Sequence, residues 1–332
     1  MAIADLARLL VLAALWGGSF AFIRVAVPAL GPLWLAESRV AIAFVALFAF
    51  ALFRRVVPSL RAHWRGFLAV GVINSALPFA LFCYAEQYVT ASTAAVLNAT
   101  SPFFGATVAA IWLREPLAPV KIVGMALGLA GVAILVGWHP EPLAPKTMLA
   151  MAACLVAALC YGVASVYAKA KLTGMPSFSI ALYSQLGAAL ALAPSLPLSP
   201  PAGLLSALVV ANVLALGLAS TAVAYMLYFR LIANIGPARA LSVTFLIPLF
   251  GVFWGVVFLG ETLAANTLAG CALILGGTWL AVRAQLPPSH PVRLNEHQTS
   301  SGSVGGYTQR YLTCAAWRQR CLMISSFCSR GF

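Results

Sequence analysis

Of 332 residues, 62% are hydrophobic and only 8% are charged, where a soluble domain carries roughly 25% charge, so the chain reads as an integral membrane protein. The net charge of +13 would suit nucleic acid, but the Lys and Arg residues stand singly between apolar runs and form no basic face, which argues against a phosphate-binding surface. The seven cysteines include no C-x-x-C pair, so neither a disulfide framework nor a zinc site is implied.

A helix needs about 20 apolar residues to cross the hydrocarbon core, and the alternation a membrane barrel requires is absent. Taking charges and Pro/Gly breaks as punctuation, the apolar segments lie at 6-27, 33-53, 66-86, 91-113, 120-138, 147-169, 177-196, 204-230, 236-259 and 265-282. The first follows Arg8 as a signal peptide would, but the second begins five residues later, so the first is read as a retained helix. The third carries Asn74 and Ser75 ahead of Pro78, and the fourth carries Asn98 and Pro102. Tyr161 lies in the sixth and Gln185 in the seventh, which Pro194, Pro197, Pro200 and Pro201 separate from the eighth. Ser220, Thr221 and Tyr225 belong to the eighth, Thr244 and Pro248 to the ninth. The expected fold class is all-α integral membrane, with ten transmembrane helices. The Ser-, Gly- and Arg-rich remainder, 284-332, is expected to be a disordered cytoplasmic tail.

Displacing the chain by 146 residues aligns Pro102 with Pro248, Gly105 with Gly251, Glu115 with Glu261, Gly124 with Gly270 and Gly131 with Gly277. Across 91-136 against 237-282 there are 14 identities in 46 pairs, and apolar composition alone does not align Pro and Glu. Five helices separate the copies, an odd number, so the second copy runs through the membrane upside down. This predicts two inverted five-helix repeats, 1-138 and 139-283. With the N-terminus in the cytoplasm, twelve of the twenty Lys and Arg residues fall on the inner side and three on the outer, the last five belonging to the tail. Both termini are therefore expected to be cytoplasmic.

Proline at position i leaves the carbonyl of residue i−4 without its helical donor. For Pro102 this is Asn98, and for Pro248 it is Thr244, its mate in the repeat. Freed carbonyls beside polar side chains on two related helices suit a midplane substrate site, although a packing kink is the plainer alternative. Asn74, Tyr161, Gln185 and Tyr225 are further polar groups at membrane depth, as candidates for substrate or for bonds between helices. Glu37 and Arg39 open the second helix and Arg24 nears the outer end of the first, so all three are expected at one external vestibule, with Glu37 the proton-coupling candidate. Glu115 and Glu261 each precede a helix, where a carboxylate opposes the positive dipole end. Gly124-x-x-x-Gly128 and Gly251-x-x-x-Gly255 read as close helix packing. No protease, hydrolase or P-loop pattern occurs, so neither an enzyme nor a cofactor is expected.

The run Leu15-Trp16-Gly17-Gly18-Ser19-Phe20, Arg39 in the second helix, and the block Pro102 to Glu115 with its copy from Pro248 through Leu259-Gly260-Glu261 resemble the EamA-type family of the drug/metabolite transporter superfamily. The resemblance covers about residues 5 to 283; Arg114 departs from the Leu-Gly-Glu that the second copy keeps. It implies export of small metabolites, often amino acids or their derivatives, across the bacterial inner membrane. It also brings Trp16 and Ser19, with Phe20 and Ile23 on one stripe of the first helix, from plain core into the candidate substrate site. The expectation is a secondary transporter working by alternating access with a small-molecule substrate and the lipid bilayer as its partners, no nucleic acid, and a homodimer left open. A non-transporting receptor or scaffold, and an uptake carrier, are the alternatives.

Overall fold

The computed structural model describes residues 3–60, 63–137, 144–201, 203, 205–235, 240 and 243–283. The expected tail, 284-332, lies outside the described residues. Helix α1 spans Ile3–Phe53, 51 residues, which if straight would be more than twice the roughly 30 Å hydrocarbon thickness at about 1.5 Å per residue. It turns at Gly31, whose φ of 75° and ψ of 166° lie where a side chain would meet its own backbone. No atom stands within 4 Å of the Cβ this residue lacks, so the demand for glycine is conformational. Pro28 and Pro32 flank the turn. The arms 3–30 and 32–53 are the first two expected segments, joined without a loop.

Helix α2 is Trp64–Ala85, with a π-helical stretch at Val72–Ala76. Helix α3 is Ala91–Trp112, broken at Ala99 and Thr100 into Ala91–Asn98 and Ser101–Trp112, just ahead of Pro102. Then come α4, Pro119–Gly137, and α5, Pro145–Lys171. Helix α6, Ser177–Leu192, runs into a 3-10 segment, Ala193–Leu198, where the prolines begin. Helix α7, Ala207–Ile232, holds a nine-residue π stretch at Ala215–Val223. The last two are α8, Val243–Leu259, and α9, Ala265–Arg283. Among the described residues six helices (α1, α2, α3, α5, α6 and α7) are long and apolar enough to cross a membrane, while α4, α8 and α9 hold shorter apolar stretches. No strand occurs among the described residues.

Close approach of backbones at glycine organises the packing. A Cβ on Gly131 would lie 2.8 Å from the Gly270 carbonyl, and one on Gly277 would lie 2.3 Å from the Gly124 carbonyl, so α4 and α9 touch main chain to main chain. A Cβ on Gly162 of α5 would lie 2.6 Å from the Gly105 nitrogen of α3, and one on Gly17 of α1 would lie 2.8 Å from the Gly251 nitrogen of α8. In the same way Gly71 of α2 meets the Ser184 carbonyl of α6 at 2.5 Å, and Gly217 of α7 meets Ile42 of α1 at 2.7 Å. The pairs 124/270, 131/277, 105/251 and 71/217 all differ by 146 residues. The two π stretches obey the same displacement, since 72–76 maps to 218–222 within 215–223.

Candidate functional site

The π stretches of α2 and α7 each contribute a polar side chain, Asn74 and Ser220, to one cavity. Each widens its helix by one residue per turn and turns polar side chains inward, a distortion found often at functional sites. From α2, Asn74 donates to the Tyr225 hydroxyl at 3.3 Å, and Ser75 receives the Gln185 amide at 3.1 Å. From α7, the Ser220 hydroxyl donates to the Leu15 carbonyl at 2.7 Å and the Thr221 hydroxyl to the Leu216 carbonyl, five residues back, at 2.9 Å. Arg39 from the second arm of α1 donates through Nε to Thr221 Oγ1 at 3.0 Å, and its guanidinium carbon sits 3.7 Å from the centre of the Phe79 ring.

Between these groups lies a cavity of about 270 Å³. Its wall is largely aromatic: Trp16 stands 5.4 Å from Tyr228 and 6.4 Å, edge-on, from Tyr225. Phe20 meets Phe82 edge-on at 5.5 Å, and Phe82 stacks on Tyr161 at 6.3 Å. Arg39 is the cation of this wall. Among the described residues the ion pairs are Arg8–Asp5 and Lys169–Glu115, so no carboxylate lies within 4 Å of the Arg39 guanidinium. A cation without a contact counter-ion, set in an apolar wall, attracts an anionic group strongly because little water screens it. The ring faces suit an apolar body or an ammonium group. The chemistry of the cavity therefore matches a small molecule with one negative group.

Of the ten residues expected to meet substrate, Trp16, Ser19, Asn74, Asn98, Pro102, Tyr161, Tyr225 and Thr244 line this cavity. Gln185 does not: it is fully buried behind it, holding Ser75. Pro248 is buried within α8 and also stays off the lining. Pro102 stands in the first turn of Ser101–Trp112, after the break at Ala99 and Thr100, and not inside a continuous helix as expected; the Asn98 carbonyl accepts from the Ser101 hydroxyl at 2.6 Å. Glu37, the expected coupling acid, lies off the cavity, with its Oε2 buried and unpartnered. Of Arg24, Glu37 and Arg39, expected at one external vestibule, Arg39 alone lines this cavity, and Arg24 binds the carbonyls of Glu86 and Val89. Glu261 caps a helix, but α3 and not the α9 it precedes: its carboxylate accepts from the Ala91 and Ser92 amides at 2.7 and 3.0 Å and from the Ser92 hydroxyl at 2.5 Å. Phe79, Phe82, Ser101, Tyr228, Val243 and Ile247 complete the lining unforeseen. Tyr228 follows Tyr225 by one helical turn, a spacing that would have revealed it.

The model of the EamA-like transporter family matches residues 6–137 and 148–283. The chain is 23% identical to the transporter YoaV of Bacillus subtilis over 269 residues, covering 80% of this chain and 92% of that one. It is 29% identical to a protein of Streptantibioticus cattleyicolor named as a probable terminal-alkyne amino-acid exporter, over 82% of this chain and 91% of the relative. A probable amino-acid metabolite efflux pump of Salmonella typhimurium is 27% identical over 82% and 93%. One crystal structure superposes with a TM-score of 0.63 at 21% identity, covering 86% of this chain and 98% of its own, which establishes a shared fold.

Proposed function

The chain belongs to the EamA-like transporter family, and from that premise we propose that this multi-pass membrane protein is a secondary active exporter of an amino acid or derivative. It works by alternating access across the bacterial inner membrane and draws on the proton gradient. The single observation that carries the substrate reading is Arg39 in the aromatic cavity, buried, uncontacted by any carboxylate among the described residues, and held by Thr221 and Phe79 so that its remaining donors are left for a ligand. The amino-acid reading draws further support from the two relatives named as exporter and efflux pump.

Alternating access needs two halves that exchange roles. The glycine contacts at 124/270, 131/277, 105/251 and 71/217 join halves crosswise and support ten spans arranged as inverted repeats, 1-138 and 139-283. The paired π stretches support a site shared by both halves. The charge distribution supports cytoplasmic termini, and Glu37, half-buried and off the cavity with its Oε2 unpartnered, is a candidate acid for proton coupling in this reading.

Binding of amino acids, their amides and the corresponding amines to purified protein tests this, read as thermal stabilisation. Acids should stabilise and amines should not. Replacing Arg39 by Gln removes a charged hydrogen bond worth about 1.5–3 kcal/mol, so affinity for acids should fall about ten- to a hundredfold, with Arg39→Lys intermediate. Equal binding of acids and amines, or an unaffected Arg39→Gln, would refute the assignment.

A further inference from the structure

Glu86 stands one residue beyond α2 and is fully buried. Among the described residues it is the one carboxylate with both oxygens buried and without a hydrogen-bond partner. The guanidinium beside it is engaged elsewhere, because Arg24 donates to the main-chain carbonyl of Glu86 itself and, at 3.4 Å, to that of Val89. The charged and titratable groups that face Glu86 are Arg24 and Arg39 of α1, Glu261 ahead of α9, Cys83 of α2 and Cys154 of α5. Glu261 is tied to the start of α3 by three hydrogen bonds. Among the described residues no cation comes within 4 Å of the Glu86 carboxylate. A carboxylate buried this way, without a contact partner, takes up a proton because the neutral acid is far cheaper to desolvate.

We propose that Glu86 is a proton-binding latch for the end of the bundle where α2 finishes and α3 begins. With that end closed, as here, Glu86 is the neutral acid. When it opens, water reaches Glu86, its proton passes to that water, and Arg24 can leave the main-chain carbonyl for the new carboxylate. Closing reverses each step and takes the proton back from the same side, which the charge distribution places outside the cell. External acid therefore favours closure. The latch is connected to the substrate cavity through two elements: Phe79 and Phe82 of α2 and Ile23, the neighbour of Arg24 in α1, all line that cavity. The inference rests on the transport reading but places the proton on a residue outside the substrate site and distinct from Glu37.

The full-length protein in proteoliposomes provides the test, using infrared difference spectra through a pH titration of wild type, Glu86→Gln, Glu86→Met and Glu37→Gln. The carbonyl stretch of a protonated carboxylic acid should be present at neutral pH, vanish in both Glu86 variants and persist in Glu37→Gln. Methionine keeps the neutral bulk, so it serves if the glutamine variant fails to insert. In parallel, exchange of radiolabelled L-threonine and L-phenylalanine is followed as the external pH is lowered at fixed internal pH. External acid should slow exchange by wild type at least tenfold, whereas exchange by Glu86→Gln should not change with external pH. Absence of the acid band in wild type, its survival in both Glu86 variants, or exchange by Glu86→Gln that external acid slows as it slows wild type would overturn the latch. If wild type moves neither amino acid, the amino-acid export reading fails by itself, and the infrared arm still decides whether Glu86 holds the proton.

Discussion

Gly276 and Gly277 are neighbours in α9, and alanine at each separates backbone packing from helix propensity. A Cβ at 277 would lie 2.3 Å from the Gly124 carbonyl oxygen, 2.7 Å from the Gly128 nitrogen and 3.2 Å from the Gly128 Cα. All three are main-chain atoms of α4, so no side chain can rotate away. Ordinary contact begins at 3.4 Å, and α4 and α9 must part by roughly 1 Å along a seam where they otherwise touch. Overpacking of this kind costs about 1–3 kcal/mol, and alanine's helix advantage of about 0.5–1 kcal/mol offsets only part of it. At 276 no atom lies within 4 Å of the new Cβ, so only the advantage remains. Reversible unfolding in mixed detergent micelles should show Gly277→Ala destabilised and Gly276→Ala equal to wild type or more stable by up to about 1 kcal/mol. Identical behaviour of the two variants would refute the close contact of α4 with α9.

Glu261→Gln replaces an anion that accepts three hydrogen bonds from Ala91 and Ser92, so the same unfolding assay should show a loss of about 1.5–3 kcal/mol; an unchanged midpoint would mean that the carboxylate does not cap α3. Pro102→Ala should change stability by less than about 0.5 kcal/mol, because the Asn98 carbonyl already has the Ser101 hydroxyl. Adding Pro102→Ala to Ser101→Ala should instead gain about 0.5–1.5 kcal/mol as the new amide reaches the vacated carbonyl. Equal effects in the two backgrounds would show that the hydroxyl does not occupy it.

Length and hydrophobicity made the helical segments legible, because crossing the membrane is a demand on local composition. The proposed repeat was legible where Pro and Glu coincide, from Pro102 to Glu115 and again from Pro248 to Glu261. It was not legible between α2 and α7, where the matches are Gly71 with Gly217 and a few Ala and Leu that any apolar pair supplies. Support for that pairing comes instead from two like contacts, Gly71 against α6 and Gly217 against the second arm of α1. The π stretches had no sequence signal either. Val72-Ile73-Asn74-Ser75-Ala76 carries nothing that forbids a regular helix, and the extra residue is inserted where Gly71 and Gly217 bring α2 and α7 against their neighbours.

The site was half legible for a related reason. Trp16, Ser19, Phe20 and Ile23 share one helix face by spacing alone, and all four line the cavity. Glu37 and Arg39 were assigned to one vestibule by their distance from a helix end, yet residues two apart point to opposite sides of a helix. Arg39 takes the cavity side with Thr221 and Phe79, so Glu37 is turned away. Glu86 lies off the lining as well, which leaves the cavity with a cation and no acid among its described walls. In the proposed exporter, substrate and proton therefore do not compete for one carboxylate. A link between them would run through α1, which carries both Glu37 and Arg39, and through α2, which carries Phe79 and Phe82 and is followed by Glu86.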